Sequence, residues 1–337
     1  MPIHASSSDP AAFAGKMLAV QRLLVVRLAT LRRIMQRSAR MAFERETGLP
    51  EFEWLIVSFV ASHPNPVLSE VSDCLQRDRA QVSRAARALV ERGLLSRERL
   101  RAPLALTDDG VRMNERIERL LAQRNQALLS GLPVTDLALL DGVLDTLFQG
   151  ANRLLEEERR FSGAVQDDAE PVPRVKHAVA GGGVNGHLIM PDLHVLLRLL
   201  RRSAELAYAR ATGLSGFDWR TLTHVEMASP ATLTELAASL DRNKSQVSRA
   251  VASLESLGLA ARVGKRGVHG KPIHATPAGS QAYALVSAEA ARRDDVLVGD
   301  LTVRQHRLLN ATLDAMTRNA LDLLEAERNT APSSLSS

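Results

Sequence analysis

The chain has 337 residues, a formal net charge of +5, one cysteine and only 3% aromatic residues. A single cysteine excludes an internal disulfide framework, the shortage of rings argues against single-strand binding by base stacking, and no run of about 18 uncharged apolar residues is present for a membrane helix. What remains is a core of Leu, Val and Ala, better suited to packed helices than to a large sheet, with a mild basic excess that suits a polyanionic partner.

Met1 to Gly15 reads as a flexible tail. Pro10 to Phe43 is Arg-rich, amphipathic and free of acidic residues, a pattern shared by transit peptides and by core helices. The core-helix reading is preferred, because Asp192 to Thr212 repeats the pattern in mid-chain. Leu24, Leu28, Leu31, Met35 and Ala39 recur at helical spacing and predict a long first helix, Lys16 to Glu46. A second helix carries Trp54 and Leu55, and a short third is LSEVSDCL from Leu68 to Leu75. A turn and a fourth helix containing QVSRA (Gln81 to Ala85) follow, ending near Gly93. Two short strand candidates end in LALT at Thr107, and two helices close the segment, the last striped by Leu140, Leu144, Leu147 and Leu154.

Ser162 to His187, rich in Gly, Pro and small residues, has no helical period and reads as a linker. Beyond it the whole order recurs. QVSRA returns at Gln246 to Ala250, and 248 − 83 gives an offset of 165 residues. The same offset pairs TGLPEFEW with TGLSGFDW, LSEVSDCL with LTELAASL, and Gly93-Leu94 with Gly258-Leu259. It then becomes 169, pairing Thr107 and Gly110 with Thr276 and Gly279, and LLEEER with LLEAER. The expected organisation is a tail (1–15), a first repeat (16–161), a linker (162–190), a second repeat (191–329) and a tail (330–337). Two copies are too few for a solenoid.

Asp78 stands three residues before Gln81, and Asn243 three before Gln246, so each QVSRA helix carries a capping signature in which the Asx accepts and the Gln reaches back. Val82, Ala86, Leu89 and Val90 are expected to face inward. That leaves Arg79, Gln81, Ser83 and Arg84 on the exposed first turns, and Lys244, Ser245, Gln246, Ser248 and Arg249 in the second copy. A polar helix start after a short helix and a turn is a helix-turn-helix arrangement. There Arg suits guanine O6 and N7, Gln suits adenine, and Ser and Lys suit phosphate. The plainer alternative, a solvated cationic face, is weakened by finding the same face twice.

The order of helices, strand pair and closing helices resembles the MarR family of winged helix-turn-helix regulators. VSRAARALVERGLL is similar to the family's recognition-helix pattern, and LTDDG (with ATPAG in the second copy) to its LTxxG element. The resemblance spans Lys16 to Arg160 and Pro191 to Arg328. It implies a mainly α fold with short β-wings, and interlocked terminal helices that in the family join two subunits. Here two winged helix-turn-helix domains would form an intramolecular pseudo-dimer in one chain. Both wings lack the family's Asp-x-Arg element, although the longer second wing has Lys265, Arg266, His269 and Lys271 near two glycines. The family's small aromatic-acid effectors would need a cation, for which Arg33, Arg37, Arg40, Arg201 and Arg202 are available, with Glu44 and Glu205 as competing partners.

Nothing points to catalysis. No nucleophile, base and orienter stand out, no His or Cys spacing suits a metal, and AGGGVNG follows no strand. No cofactor is expected. Cys74 does not sit where the family's oxidant-sensing cysteines do. The expected function is a cytoplasmic duplex-DNA-binding transcription regulator, a repressor more than an activator, reading an imperfect palindrome as a monomeric pseudo-dimer. The alternatives are a DNA-binding-deficient protein that sequesters a partner or ligand, and a nonspecific architectural DNA binder.

Overall fold

The computed structural model describes residues 20–75, 78–99, 102–161, 188–264 and 271–330. The expected tail 1–15, all but Thr330 of the tail 330–337, and residues 162–187 of the expected linker lie outside them. A bend at Leu23 separates a short helical stretch from helix α1 (Leu24–Thr47); residues 16–19 of the expected first helix lie outside the described residues. Leu24, Leu28, Leu31 and Met35 form its buried stripe. Next come α2 (Glu51–Ser62), α3 (Leu68–Leu75), α4 (Arg79–Glu91), the hairpin β1 (Leu95–Ser96) and β2 (Ala105–Leu106), α5 (Asp108–Leu128) and α6 (Val134–Phe161).

The order then recurs: α7 (Ile189–Thr212), α8 (Gly216–Met227), α9 (Leu233–Leu240), α10 (Lys244–Ser256), β3 (Ala260–Arg262), β4 (Ile273–Ala275), α11 (Pro277–Val298) and α12 (Val303–Thr330). Pro191 lies inside the first turn of α7, where proline's missing N–H costs nothing.

Each helix-turn-helix closes over its own core. Ile56 and Val57 of α2, Val71 of α3, Val82, Ala86 and Leu89 of α4, and Ile117 of α5 pack together with Leu95 and Leu104. The counterpart core joins Leu222, Val225, Leu236, Val247, Val251, Leu254, Ala260 and Ile273. Both hairpins are antiparallel, with Leu95 opposite Leu106 in one and Ala261 opposite His274 in the other.

The LTxxG-like element fastens each hairpin to the helix before it. Thr107 Oγ1 donates to the carbonyl of Gly93 (2.6 Å) and accepts from the N–H of Gly110 (3.0 Å), capping α5. Thr276 does the same with Gly258 (2.6 Å) and Gly279 (3.1 Å). Glycine is required at the far end of the element: a Cβ on Gly110 would lie 2.0 Å from the carbonyl oxygen of Leu94, and one on Gly279 1.9 Å from that of Leu259. The ends of α4 and α10 are thus set by glycines with φ of 73° and 71°, Gly93 and Gly258.

The chain divides into two compact units, and each draws on both halves of the sequence. One takes its described residues from Met1–Ala29, Val143–Arg174 and Val195–His306; the other takes them from Thr30–Gly142, Val175–His194 and Arg307–Ser337. Equivalent contacts hold each unit together. In the second unit Glu327 of α12 pairs with Arg45 of α1 and lies 3.6 Å from Arg124 of α5. In the first, Glu158 of α6 accepts two hydrogen bonds from Arg210 of α7, at 2.8 and 3.0 Å. These pairs match at the sequence offsets, since 327 − 158 is 169 and 210 − 45 is 165. Arg124 donates to Ser38 (2.8 Å), and Arg293 to Ser203. The start of α7 is met by Asn125, whose Oδ1 accepts from the N–H of Ile189 (3.1 Å); the start of α1 is met by Asp294, whose Oδ1 accepts from that of Leu24 (2.7 Å).

Candidate nucleic-acid interface

Helices α4 and α10 begin as the capping signature predicts, in half of its detail. Asp78 Oδ1 accepts from the N–H groups of Ala80 (2.9 Å) and Gln81 (3.2 Å), and Asn243 Oδ1 from that of Gln246 (2.8 Å). The reciprocal box, in which the third residue reaches back, forms at α9, between Thr232 and Glu235. The Asx acceptors satisfy the first free N–H groups of each helix, leaving Gln81 and Gln246 exposed rather than defining them as caps.

Arg79, Gln81 and Arg84 are exposed on α4, and Ser83 is half-buried beside them. Lys244, Ser245, Gln246 and Arg249 are exposed on α10, with Ser248 half-buried. Gln81 and Arg84, and Gln246 and Arg249, lie on the side of each helix away from Val82, Ala86 and Leu89 or Val247, Ala250, Val251 and Leu254, while Arg79 and Lys244 lie in the first turn on a flank of that stripe. Two details differ from expectation. Val90 does not face inward: it is 36% exposed, because the eight-residue step from Val82 overshoots two turns by about 80° and carries it off the buried stripe. Ser245 donates to Asn243 Oδ1 (2.8 Å), so its hydroxyl supports the cap.

Arg87, not singled out by motif, is also exposed, three residues beyond Arg84 on the same face. The signal that could have found it is the offset alignment itself, which places Ala252 opposite it (252 − 87 = 165). Arg92, at the end of α4, is structural: it donates to the carbonyl of Gly48 (3.1 and 3.2 Å) and to Glu53 (3.1 Å). In the wings, Lys265, Arg266 and His269 lie outside the described residues. Lys271 and Arg99 are exposed.

Arg33, Arg37, Arg40 and Arg202 are exposed, and Arg201 pairs with Glu205 (3.5 Å). Cys74 is exposed. Among the described residues no group of three His, Cys, Asp or Glu side chains could hold a metal, and no helix is long and apolar enough to cross a membrane.

The family model HVO_A0114 matches residues 214–274. No curated protein matches the chain. Among solved structures, similarity is found to a protein described as a MarR-family transcriptional regulator from Listeria monocytogenes in complex with a 26-mer DNA. That pair is 21% identical over 41% of this chain and 93% of the other, with a TM-score of 0.34. A MarR protein from Peptoclostridium difficile is 17% identical over 45% and 99% of the two chains, with a TM-score of 0.36. The S. aureus MepR–DNA complex is 18% identical over 37% and 91%, with a TM-score of 0.31.

Proposed function

We propose that the chain is a duplex-DNA-binding transcription regulator, acting as a repressor, in which α4 and α10 each enter a major groove. The observation that carries this reading is the pair of Asx-capped helices, each the second helix of a helix-turn-helix and each followed by an antiparallel hairpin. Both present Gln and Arg on the side away from a buried apolar face, with a further exposed cation in the first turn. A purely solvated face has no need to repeat Gln and Arg at the same helical positions. Arg84 and Arg249 would read base edges. Arg79 and Lys244 would hold phosphates.

The same reading takes the chain as an internal pseudo-dimer produced by tandem duplication. Its support is that Glu158 with Arg210 and Glu327 with Arg45 are one contact made twice, each joining a closing helix of one sequence half to the opening helix of the other. Two unlike reading helices in one chain then imply an imperfect palindrome.

The test is selection of bound fragments from random-sequence duplex DNA, followed by titration of the selected site at several salt concentrations. Arg84→Ala and Arg249→Ala should each weaken binding by about 1 to 3 kcal/mol and relax preference at one base position. The mass of the free protein in light scattering should be that of one chain. Wild-type affinity in both folded variants would defeat the reading.

A further inference from the structure

The two reading helices are alike at their starts and unlike in their later turns. Gln81, Arg84 and Arg87 succeed one another at steps of three on α4; the matching positions on α10 are Gln246, Arg249 and Ala252, and all six are exposed. A step of three residues returns to within about 60° of the same direction and advances about 4.5 Å along the axis. The rise per nucleotide along one DNA strand is about 3.4 Å. Each step along the stripe therefore brings the next side chain to roughly the next base position, and the stripe on α4 is one donor longer.

Three polar groups in the later turns of α10 and Arg92 after α4 are already committed. Arg92 is held by Gly48 and Glu53. On α10, Ser253 donates to Asp218 (3.4 Å), Ser256 to the carbonyl of Ser253 (2.7 Å), and Glu255 pairs with Arg262 (3.1 Å). Arg87 forms no ion pair among the described residues. Its one acidic neighbour at helical spacing, Glu91, follows it by four, the less favourable order for such a pair. A guanidinium on this face, held by no carboxylate among the described residues, is a donor awaiting an acceptor.

Resting on the DNA-binding reading above, we infer that Arg87 is a specificity-determining residue that makes the two half-sites unequal. The half-site met by α4 carries a guanine one step beyond the base read by Arg84, with O6 and N7 accepting from Arg87. The half-site met by α10 has no requirement at the matching step, because Ala252 offers no donor. The first lobe is accordingly the anchor of the complex.

The experiment compares wild type, Arg87→Ala, Ala252→Arg and Arg84→Ala by selection from random-sequence duplex DNA and by titration on the wild-type site. Arg87 and Ala252 are exposed, so circular dichroism and thermal midpoints should match wild type. Arg87→Ala should lose the guanine preference one step beyond Arg84's base in one half-site and bind roughly 10-fold more weakly, within the range of one bidentate contact. Ala252→Arg should gain a guanine preference in the other half-site and make the selected site more nearly palindromic. An Arg87→Ala protein that weakens but keeps every base preference, with the salt slope lower by about one, has lost only a phosphate contact, and that overturns the inference. So does wild-type binding by Arg87→Ala while Arg84→Ala is impaired. If the wild type selects no sequence, or Arg84→Ala is also without effect, the DNA-binding reading itself fails.

Discussion

The two units solve one packing problem with different chemistry at three places. In the second unit, buried Arg124 has a carboxylate nearby, Glu327 at 3.6 Å, and a hydroxyl, Ser38. In the first, buried Arg293 donates to Ser203 and its Nη1 finds no partner among the described residues, while the two oxygens of Glu158 accept from Arg210. The helix start at Ile189 is met by a neutral amide, Asn125, and that at Leu24 by a carboxylate, Asp294. Asn319 of α12 donates to the carbonyls of Leu128 and Ser130 (both 2.9 Å), whereas its counterpart on α6 is Gly150, which has no donor to offer. What persists is the placement of the backbone, not the residue or its charge. The fold needs an acceptor at each helix start and a closing helix at each opening one, and several side chains can supply them.

The largest effect expected from this comparison lies in the closing-helix carboxylates. Glu327→Gln removes the charge facing Arg45 and leaves Arg124 buried without its carboxylate, a situation that costs about 3 to 5 kcal/mol. Glu158→Gln should cost less, because its hydrogen bonds go to the part-exposed Arg210, while buried Arg293 donates to Ser203 instead. Urea unfolding of both variants measures the difference; equal losses would mean that Arg124 and Arg293 sit in equivalent electrostatic surroundings after all.

The helix-start pair predicts a smaller, pH-dependent effect. Burial pushes the Asp294 carboxyl above its usual range, against the N–H of Leu24, which pulls it down; Asp295 also raises it, and His306 and Arg27 lower it. A carboxyl raised in the folded state favours folding most below the ordinary aspartate value near 3.9, and that contribution is lost as pH rises through the raised value. Asp294→Asn, which copies Asn125, should therefore flatten this part of the pH dependence and stabilise the protein at pH 7 relative to pH 4. Thermal midpoints across that window check it, and a variant that loses more stability at pH 7 than at pH 4 would reverse the sign.

Smallest is the Asn319 amide. Asn319→Ala should cost about 1 kcal/mol, the usual net worth of a hydrogen bond between neutral groups. Gly150→Ala, whose Cβ would meet Leu297 atoms from 3.4 Å, should fall within the same range or be neutral. Denaturant midpoints would show whether the added hydrogen bonds make α12 the more firmly held closing helix.

The sequence by itself determined the elements and the exposed polar face of α4 and α10. Helical period placed the stripe Leu24, Leu28, Leu31 and Met35, the Asx residues placed the starts of α4 and α10, and the Thr-x-x-Gly spacing placed the junction after each hairpin. These are local matters, decided within a turn or two by hydrogen-bond reach and backbone sterics. Val90 was misread because a stripe drifts at 3.6 residues per turn, and Arg87 was missed because no motif contains it. Tertiary structure alone decided which carboxylate meets which arginine. Glu327 is 282 residues from Arg45, and Asp294 is 270 from Leu24. Two copies of similar sequence could pair each closing helix with its own lobe or with the other's, and the local pattern is the same in both cases. The choice rests on the sum of long-range packing and buried charge pairing, which no window of sequence contains.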